Sequence, residues 1–308
     1  MNYMTWLSEW LKNYVKPSAK LRTYDRYCQT VYTHISPKLG RFELDELSIG
    51  VLQRFVSALS EGGNKRTGKG LSANSVNGII SILQSSLKSA YNSGITKGYI
   101  ADKINRPKII EKQVVCFNLK EQKKIERAVL SGEKPKMYGI ILCLYTGLRI
   151  GELLALEWKD VDVKNSVIYV YKTCHDRSQN GMTVKIVGPP KTLSSQRVIP
   201  LPKQMLPILK LLKKQNKSQF VISDANMPVS VRSYQRSFEL LLKKLNIPHK
   251  GFHALRHTFA TRALECGMDV KTLSELLGHK NTGITLNRYA HSLIEHKTEV
   301  MNRLGKIF

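Results

Sequence analysis

The sequence predicts a two-domain protein, an all-helical first domain followed by a mainly helical second domain with a small three-stranded antiparallel sheet. Three observations carry this. The 308 residues, 42% of them hydrophobic, exceed one small domain and can fill two cores. From Trp6 to roughly Asp102 the apolar residues recur only at helical spacing. Beyond Cys116, three short β-branched, alternating segments interrupt an otherwise helical pattern.

In the first domain, Trp6, Leu7, Trp10 and Leu11 form one apolar stripe, and Val76, Ile79, Ile80, Leu83 and Leu87 another. Between them the segment SEGGNKRTGKGLSANS (Ser60–Ser75) joins two helices, with Ser72 or Asn74 as the cap of the second. Its Lys65, Arg66 and Lys69 are candidates to face a phosphate backbone. In KINRPKIIEKQ (Lys103–Gln113), Pro107 and its charged neighbours break the periodicity and predict an extended linker. The boundaries read as 1–102 for the helical domain, 103–115 for the linker, 116–291 for the second domain and 292–308 for a tail. In the second domain SVIYVYKT (Ser166–Thr173), MTVKIVG (Met182–Gly188) and QRVIPL (Gln196–Leu201) predict the three strands. Helices resume near Lys203, Val231, His253, Val270 and Ser292. In the tail, Leu293, Ile294, Val300, Met301 and Leu304 make an apolar helical stripe.

Lys and Arg number 49 against 23 Asp and Glu, a net charge of +26 spread along the chain, which calls for a polyanionic partner. A membrane is disfavoured: no apolar run approaches the ~20 residues that span a bilayer, and MNYMTWLSEWLKNYVK lacks a signal-peptide layout. A cytoplasmic protein is expected. Five cysteines without a C-x-x-C pair suggest neither a disulfide framework nor a cysteine zinc site.

The chemistry concentrates in YTGLRIGELLALEW (Tyr145–Trp158), GPPKTLSSQRVIPLP (Gly188–Pro202), HALRHTFAT (His253–Thr261) and LLGHKNTGITLNRYAH (Leu276–His291). Together they supply the groups needed to cleave a phosphodiester without metal, and the charge points to DNA. Deprotonating a tyrosine near neutral pH costs about 4 kcal/mol, which neighbouring cations must offset. Arg149 and Arg256 can clamp the non-bridging oxygens and stabilise a pentacoordinate transition state, and His279 can add a hydrogen bond. Lys191, on a turn between strands, can protonate the leaving 5′ oxygen. His253, three residues before Arg256 on one helix face, can take the proton of Tyr289 or orient the phosphate. Glu152 reads as a supporting partner that fixes an arginine or histidine. Taken singly each has a plainer reading: Arg149 paired only with Glu152, Tyr289 a core or surface residue, His257 and Thr258 hydrogen-bonded helix residues. The ordered set outweighs these.

Two motifs mislead. GNKRTGK (Gly63–Lys69) has phosphate-loop spacing, but glycine stands at position 70 and no strand precedes it. His249, His253 and His257 are spaced by four, but Pro248 and Gly251 break the helix and no acidic partner is near. No metal and no cofactor is expected.

At these residues the sequence resembles the tyrosine recombinases, especially integrases of phages and conjugative transposons. The match is close over Tyr145–His291 and looser over the helical N-terminal region, which is similar to the family's SAM-like core-binding domain. The resemblance implies that Arg149, Lys191, His253, Arg256, His279 and Tyr289 are the six catalytic positions. It implies two domains closing on duplex DNA as a C-shaped clamp, a 3′-phosphotyrosyl intermediate needing neither ATP nor metal, and a homotetramer exchanging strands through a Holliday junction. The tail would dock on a neighbouring protomer, an excisionase or host DNA-bending protein would assist, and the setting would be the bacterial cytoplasm and nucleoid. Many such integrases begin with an arm-binding domain. This chain enters the core-binding helices almost directly, which fits either a shortened chain or a simpler recombinase. The rival readings are a type IB topoisomerase or telomere resolvase, and a DNA-binding protein of this fold without the reaction.

Overall fold

Asn2 opens α1 (Tyr3–Trp10), its side chain accepting the Thr5 amide at 2.9 Å. The helix runs through a π-helical turn, Leu11–Val15, into α2 (Lys16–Ser18). The next helix repeats the device: α3 (Leu21–Thr30), a π turn at Val31–Ile35, then α4 (Ser36–Leu39). Each π turn ends just short of a proline, Pro17 or Pro37. A proline ring offers no N–H and crowds the carbonyl four residues back, and widening the turn relieves both. Helices α5 (Ile49–Gly62) and α6 (Ala73–Asn92) complete the bundle, with Ser72 capping α6 through the Ser75 amide. The structure is a computed structural model describing residues 1–110, 114–132, 134–179, 182–190, 196–224, 227–289, 301–302 and 304–305, with the backbone alone at 178, 179, 224 and 287–289.

The first unit's core packs Trp6, Trp10, Leu52, Phe55, Ile80 and Leu83. Both indoles keep a polar partner on α6: Trp6 donates to the Ser86 carbonyl at 2.9 Å and Trp10 to the Ser89 hydroxyl at 3.1 Å. The segment read as a linker is fastened to this bundle. The Asn105 amide donates to Gln53 Oε1 at 3.0 Å, and Asn77 Nδ2 donates to the Pro107 carbonyl at 3.0 Å. The chain divides into units Met1–Lys112 and Gln113–Phe308.

In the second unit, α7 (Leu119–Leu130) starts with a capping box of Asn118 and Glu121. α8 (Tyr138–Thr146) is buried on nearly every face, as YGIILCLYT requires, and is the core element. It ends at Gly147, left-handed at φ +65°, and α9 (Ile150–Ala155) follows. Strands β1 (Val161–Asp162), β2 (Val167–Val170), β3 (Thr173–Gln179), β4 (Met182–Gly188) and β5 (Arg197–Pro200) come next. The three-stranded antiparallel sheet is β1-β2-β5, with Ile168 opposite Ile199 and Val170 opposite Arg197.

The expected sheet membership needs correction, because Met182–Gly188 pairs with Thr173–Gln179 in a separate two-stranded hairpin. β1 and β5 already occupy both edges of β2. The hairpin is placed by neighbouring elements. A Cβ on Gly151 of α9 would stand 2.5 Å from Thr173 Oγ1 and 2.6 Å from the Cys174 carbonyl, so only glycine lets β3 approach. Asp176 of β3 accepts from the Ser230 hydroxyl at 2.8 Å and the Arg232 amide at 3.1 Å. These lie at the start of α11 (Val231–Lys244), which follows α10 (Met205–Gln215) and the short pair β6 (Ser223–Asp224) and β7 (Met227–Pro228). The chain continues through α12 (His253–Glu265), α13 (Val270–Leu277) and α14 (Thr282–Tyr289). The helix expected from Ser292 lies outside the described residues, except 301–302 and 304–305.

Candidate active site

The end of α13 organises the site. Gly278 is left-handed at φ +62°. Its amide donates to the Glu275 carbonyl at 2.9 Å, and the His279 amide to the Ser274 carbonyl at 3.0 Å. This pair of bonds is a Schellman motif, which satisfies two of the carbonyls that a helix end leaves without partners. The next three carbonyls each accept from a different arginine. Leu276 takes Arg197 Nε at 2.6 Å, Leu277 takes Arg256 Nη2 at 2.6 Å, and Gly278 takes Arg149 Nη2 at 3.2 Å. Cations at this end also complement the helix dipole.

Arg256, on α12, is 2% exposed. Its Nη1 donates to the Gly147 carbonyl at 2.8 Å, so one buried side chain ties the ends of α8 and α13 together. Its Nη2 also stands 3.0 Å from His279 Nε2. A guanidinium has donors only, so in this arrangement Nε2 accepts and the ring proton sits on Nδ1, which reaches Thr285 Oγ1 at 2.7 Å. The expected donation from His279 to a phosphate oxygen therefore requires Arg256 to turn its Nη2 away from the ring.

Arg149 caps α9, because left-handed Gly147 ends α8 first. Its side chain, 35% exposed, gives Nη1 to Glu152 Oε1 at 2.8 Å. Glu152 Oε2 accepts the Arg149 amide at 2.9 Å, the returning half of a capping box. The same carboxylate, 4% exposed, is also held on both oxygens by Arg197. Burial pushes the Glu152 carboxyl upward, but the hydrogen bonds and charge of Arg197, then the charge of Arg149, outweigh it and hold the group at about 2. Two guanidiniums thus share one carboxylate, and with Arg256 nearby at the end of α13 the site keeps excess positive charge where an anion would bind.

His253 is exposed at the start of α12, one turn before Arg256. Its ring lies edge-on to His257, with centroids 4.6 Å apart. Thr258 is buried and bonded to the Ala254 carbonyl and the Phe117 amide. Tyr289 is the last residue of α14, and its side chain is outside what the structure describes. Lys191 also lies outside the described residues. Of the six sequence-derived positions, Arg149, Arg256 and His279 are thus brought together around α13, with His253 beside them on α12. Among the described residues no three histidine, cysteine or acidic side chains converge as for a metal. No helix among them is long and apolar enough to cross a membrane.

Two participants escaped the sequence reading. Thr285, fully buried, gave no signal. Arg197 did give one. In QRVIPL it alternates onto the face of Ile199, which is 1% exposed, and an arginine on a buried strand face needs a carboxylate. In the other unit Lys65, Arg66 and Lys69 are exposed on the α5–α6 loop. That loop closes on Asn64, whose Oδ1 takes the Arg66 and Thr67 amides and whose carbonyl takes that of Gly68. These amides are spent inside the loop and not presented to a nucleotide.

Residues 118–296 match the phage integrase family, and residues 3–60 match the phage integrase N-terminal SAM-like domain. A tyrosine recombinase XerC-like protein of Caldanaerobacter subterraneus subsp. tengcongensis is 29% identical over 97% of this chain and 81% of its own length. The Tn1549 transposon integrase, solved in complex with transposon right end DNA, superposes with a TM-score of 0.80 at 23% identity, covering 99% of this chain and 100% of that one. The lambda integrase tetramer bound to a Holliday junction gives 0.69 at 22% identity, over 92% and 78%. These two are likenesses of fold. Fold, site and relatives together define the class as tyrosine-type enzymes that break and rejoin DNA at specific sites. Within that class, the chain belongs to the phage integrase family.

Proposed function

We propose that this enzyme moves a mobile element, integrating and excising it, by transferring DNA strands through Tyr289. Tyr289 Oη attacks the scissile phosphorus and gives up its proton to His253. The P–O5′ bond breaks, Lys191 protonates the leaving oxygen, and a 3′-phosphotyrosine and a free 5′ hydroxyl remain. Religation is the reverse attack by a 5′ hydroxyl, and the ester keeps the bond energy. Arg149 and Arg256 hold the two non-bridging oxygens, whose charge grows in the transition state. The supporting observation is the set of arginines fixed on successive carbonyls at the end of α13, just before the helix that ends in Tyr289.

In this reading the protein works in the bacterial cytoplasm on duplex DNA, with residues 1–102 as the core-binding domain, 116–291 as the catalytic domain, and Lys65, Arg66 and Lys69 on the backbone. It acts as a homotetramer through a Holliday junction, with an excisionase or host DNA-bending protein as accessory. Its tail, 292–308, docks on a neighbouring protomer. The test uses a nicked duplex selected for binding by the wild-type protein. Wild type should trap as a covalent adduct on denaturing gels. Tyr289→Phe should bind equally and form none; an undiminished adduct in that variant removes Tyr289 as nucleophile. A junction intermediate in a two-site assay separates this reading from a topoisomerase or resolvase.

A further inference from the structure

Arg197 has no part in the chemistry above, yet it is among the most thoroughly engaged side chains of the site. It is the first residue of β5, and its side chain is 6% exposed. Nη1 reaches Glu152 Oε1 at 3.1 Å, Nη2 reaches Glu152 Oε2 at 2.8 Å, and Nε donates to the Leu276 carbonyl at 2.6 Å. The carboxylate is therefore bound bidentately by a planar fork while the third donor holds a helix end.

Arg149, by contrast, is partly exposed and is supported at two points, Glu152 Oε1 and the Gly278 carbonyl. Arg197 holds both supports. It fixes the Glu152 carboxylate directly, and it fixes the last turn of α13 two residues before Gly278. Without it Glu152 loses the fork that spans both of its oxygens and keeps the Arg149 guanidinium and amide, and the α13 end loses one of its three arginine ties. Displacement of a transition-state donor by about 1 Å is enough to cost on the order of a hundredfold in rate.

We propose that Arg197 is a positioning residue for DNA cleavage, acting through Glu152 and the end of α13 to set the place of Arg149 without touching the phosphate. The inference rests on the reading of Arg149 as a phosphate-binding group. Lysine cannot replace it, since three donors on one nitrogen cannot span two carboxylate oxygens and a carbonyl.

The experiment uses the full chain and the nicked duplex in single turnover at saturating DNA, below the melting temperature of each variant, with half-site affinity and thermal unfolding measured in parallel. Arg197→Lys should bind a half-site within about twofold of wild type and cleave ten- to a hundredfold more slowly, as expected for lost orientation. Glu152→Gln should show a loss of similar size. Arg197→Met should lose at least as much as Arg197→Lys, and the double variant Arg197→Met/Glu152→Gln should fall within about threefold of the worse of Arg197→Met and Glu152→Gln, because both act through one carboxylate. Full multiplication of the two losses overturns the proposal, as does Arg197→Lys cleaving within twofold of wild type, or a loss confined to DNA affinity. If Arg197→Met unfolds, Arg197→Lys decides; unfolding of that variant as well makes Arg197 a purely structural residue and also overturns it. Absence of an adduct from wild type refutes the proposed reaction and this inference with it, whereas a wild-type adduct with an unaffected Arg197→Lys refutes only the inference.

Discussion

Replacing Glu152 by glutamine changes almost no volume and removes one charge, so its effect is calculable. The carboxylate is held at about 2 against an ordinary 4.5, which means that the folded state favours the charged over the neutral form by about 3 kcal/mol. A neutral amide forfeits that preference, and its NH2 group turns donors toward Arg149 or Arg197. At pH 7 the second unit should therefore lose about 3 kcal/mol, near the lower end of the range for breaking a buried ion pair. For a unit of roughly 200 residues this lowers the melting temperature by about 6–12 °C. The pH dependence follows from the depressed folded value. The stabilisation is fully present above 4.5, the unfolded value, and is lost as pH falls toward 2, the folded one. The gap between wild type and Glu152→Gln should narrow from about 3 kcal/mol at pH 7 to about 2 at pH 3.5. Denaturant unfolding of both proteins across that range measures it. A gap below about 1 kcal/mol at pH 7, or one that does not narrow in acid, refutes the assignment of Glu152 as the charged keystone of the two arginines.

Arg256→Ala should leave the Gly147 and Leu277 carbonyls without their donor, costing about 2–4 kcal/mol in urea unfolding. In conditions where that variant stays folded, adduct formation should fall by at least about a hundredfold. Gly147→Ala must bear φ +65° and a Cβ 2.5 Å from Phe259 Cδ1, so it should lose at least about 2 kcal/mol, whereas a near-neutral result in thermal unfolding would mean that α8 ends elsewhere. If the protein neutralises about eight phosphates, log affinity should fall with log salt at a slope near −7; a slope shallower than about −2 would direct most of the basic surface away from DNA.

Much of this was legible because it is local. The glycine of LLGH lies in a short local motif, and the structure makes it the left-handed residue of a Schellman turn. The apolar run of α8 announces a buried helix, and the stripes around Trp6 and Val76 announce a helical bundle. What remained hidden depends on residues far apart in sequence. The strand β3, TCHDRSQ, has no β-branched run, and it is a strand because Gly151 and the start of α11 fix it beside β4. The π turns before Pro17 and Pro37 stayed hidden because five residues are too few to establish a period of their own. Arg197 shows in the sequence as a charge on an inward strand face, but its purpose depends on Glu152 and Leu276, which only the folded chain brings to it.

The arginines at the end of α13 are referenced to backbone oxygens, and a main-chain carbonyl is the same whatever side chain it carries. The identities of Leu276 and Leu277 can therefore drift among residues that pack equally well, without moving any of the three guanidiniums. Length has no such tolerance. Inserting or deleting one residue in α13 swings its last carbonyls by about 100° around the helix axis, so all three bonds fail at once. For anyone redesigning this enzyme, α13 is thus a ruler: its side chains can be rewritten, but its residue count must stay fixed.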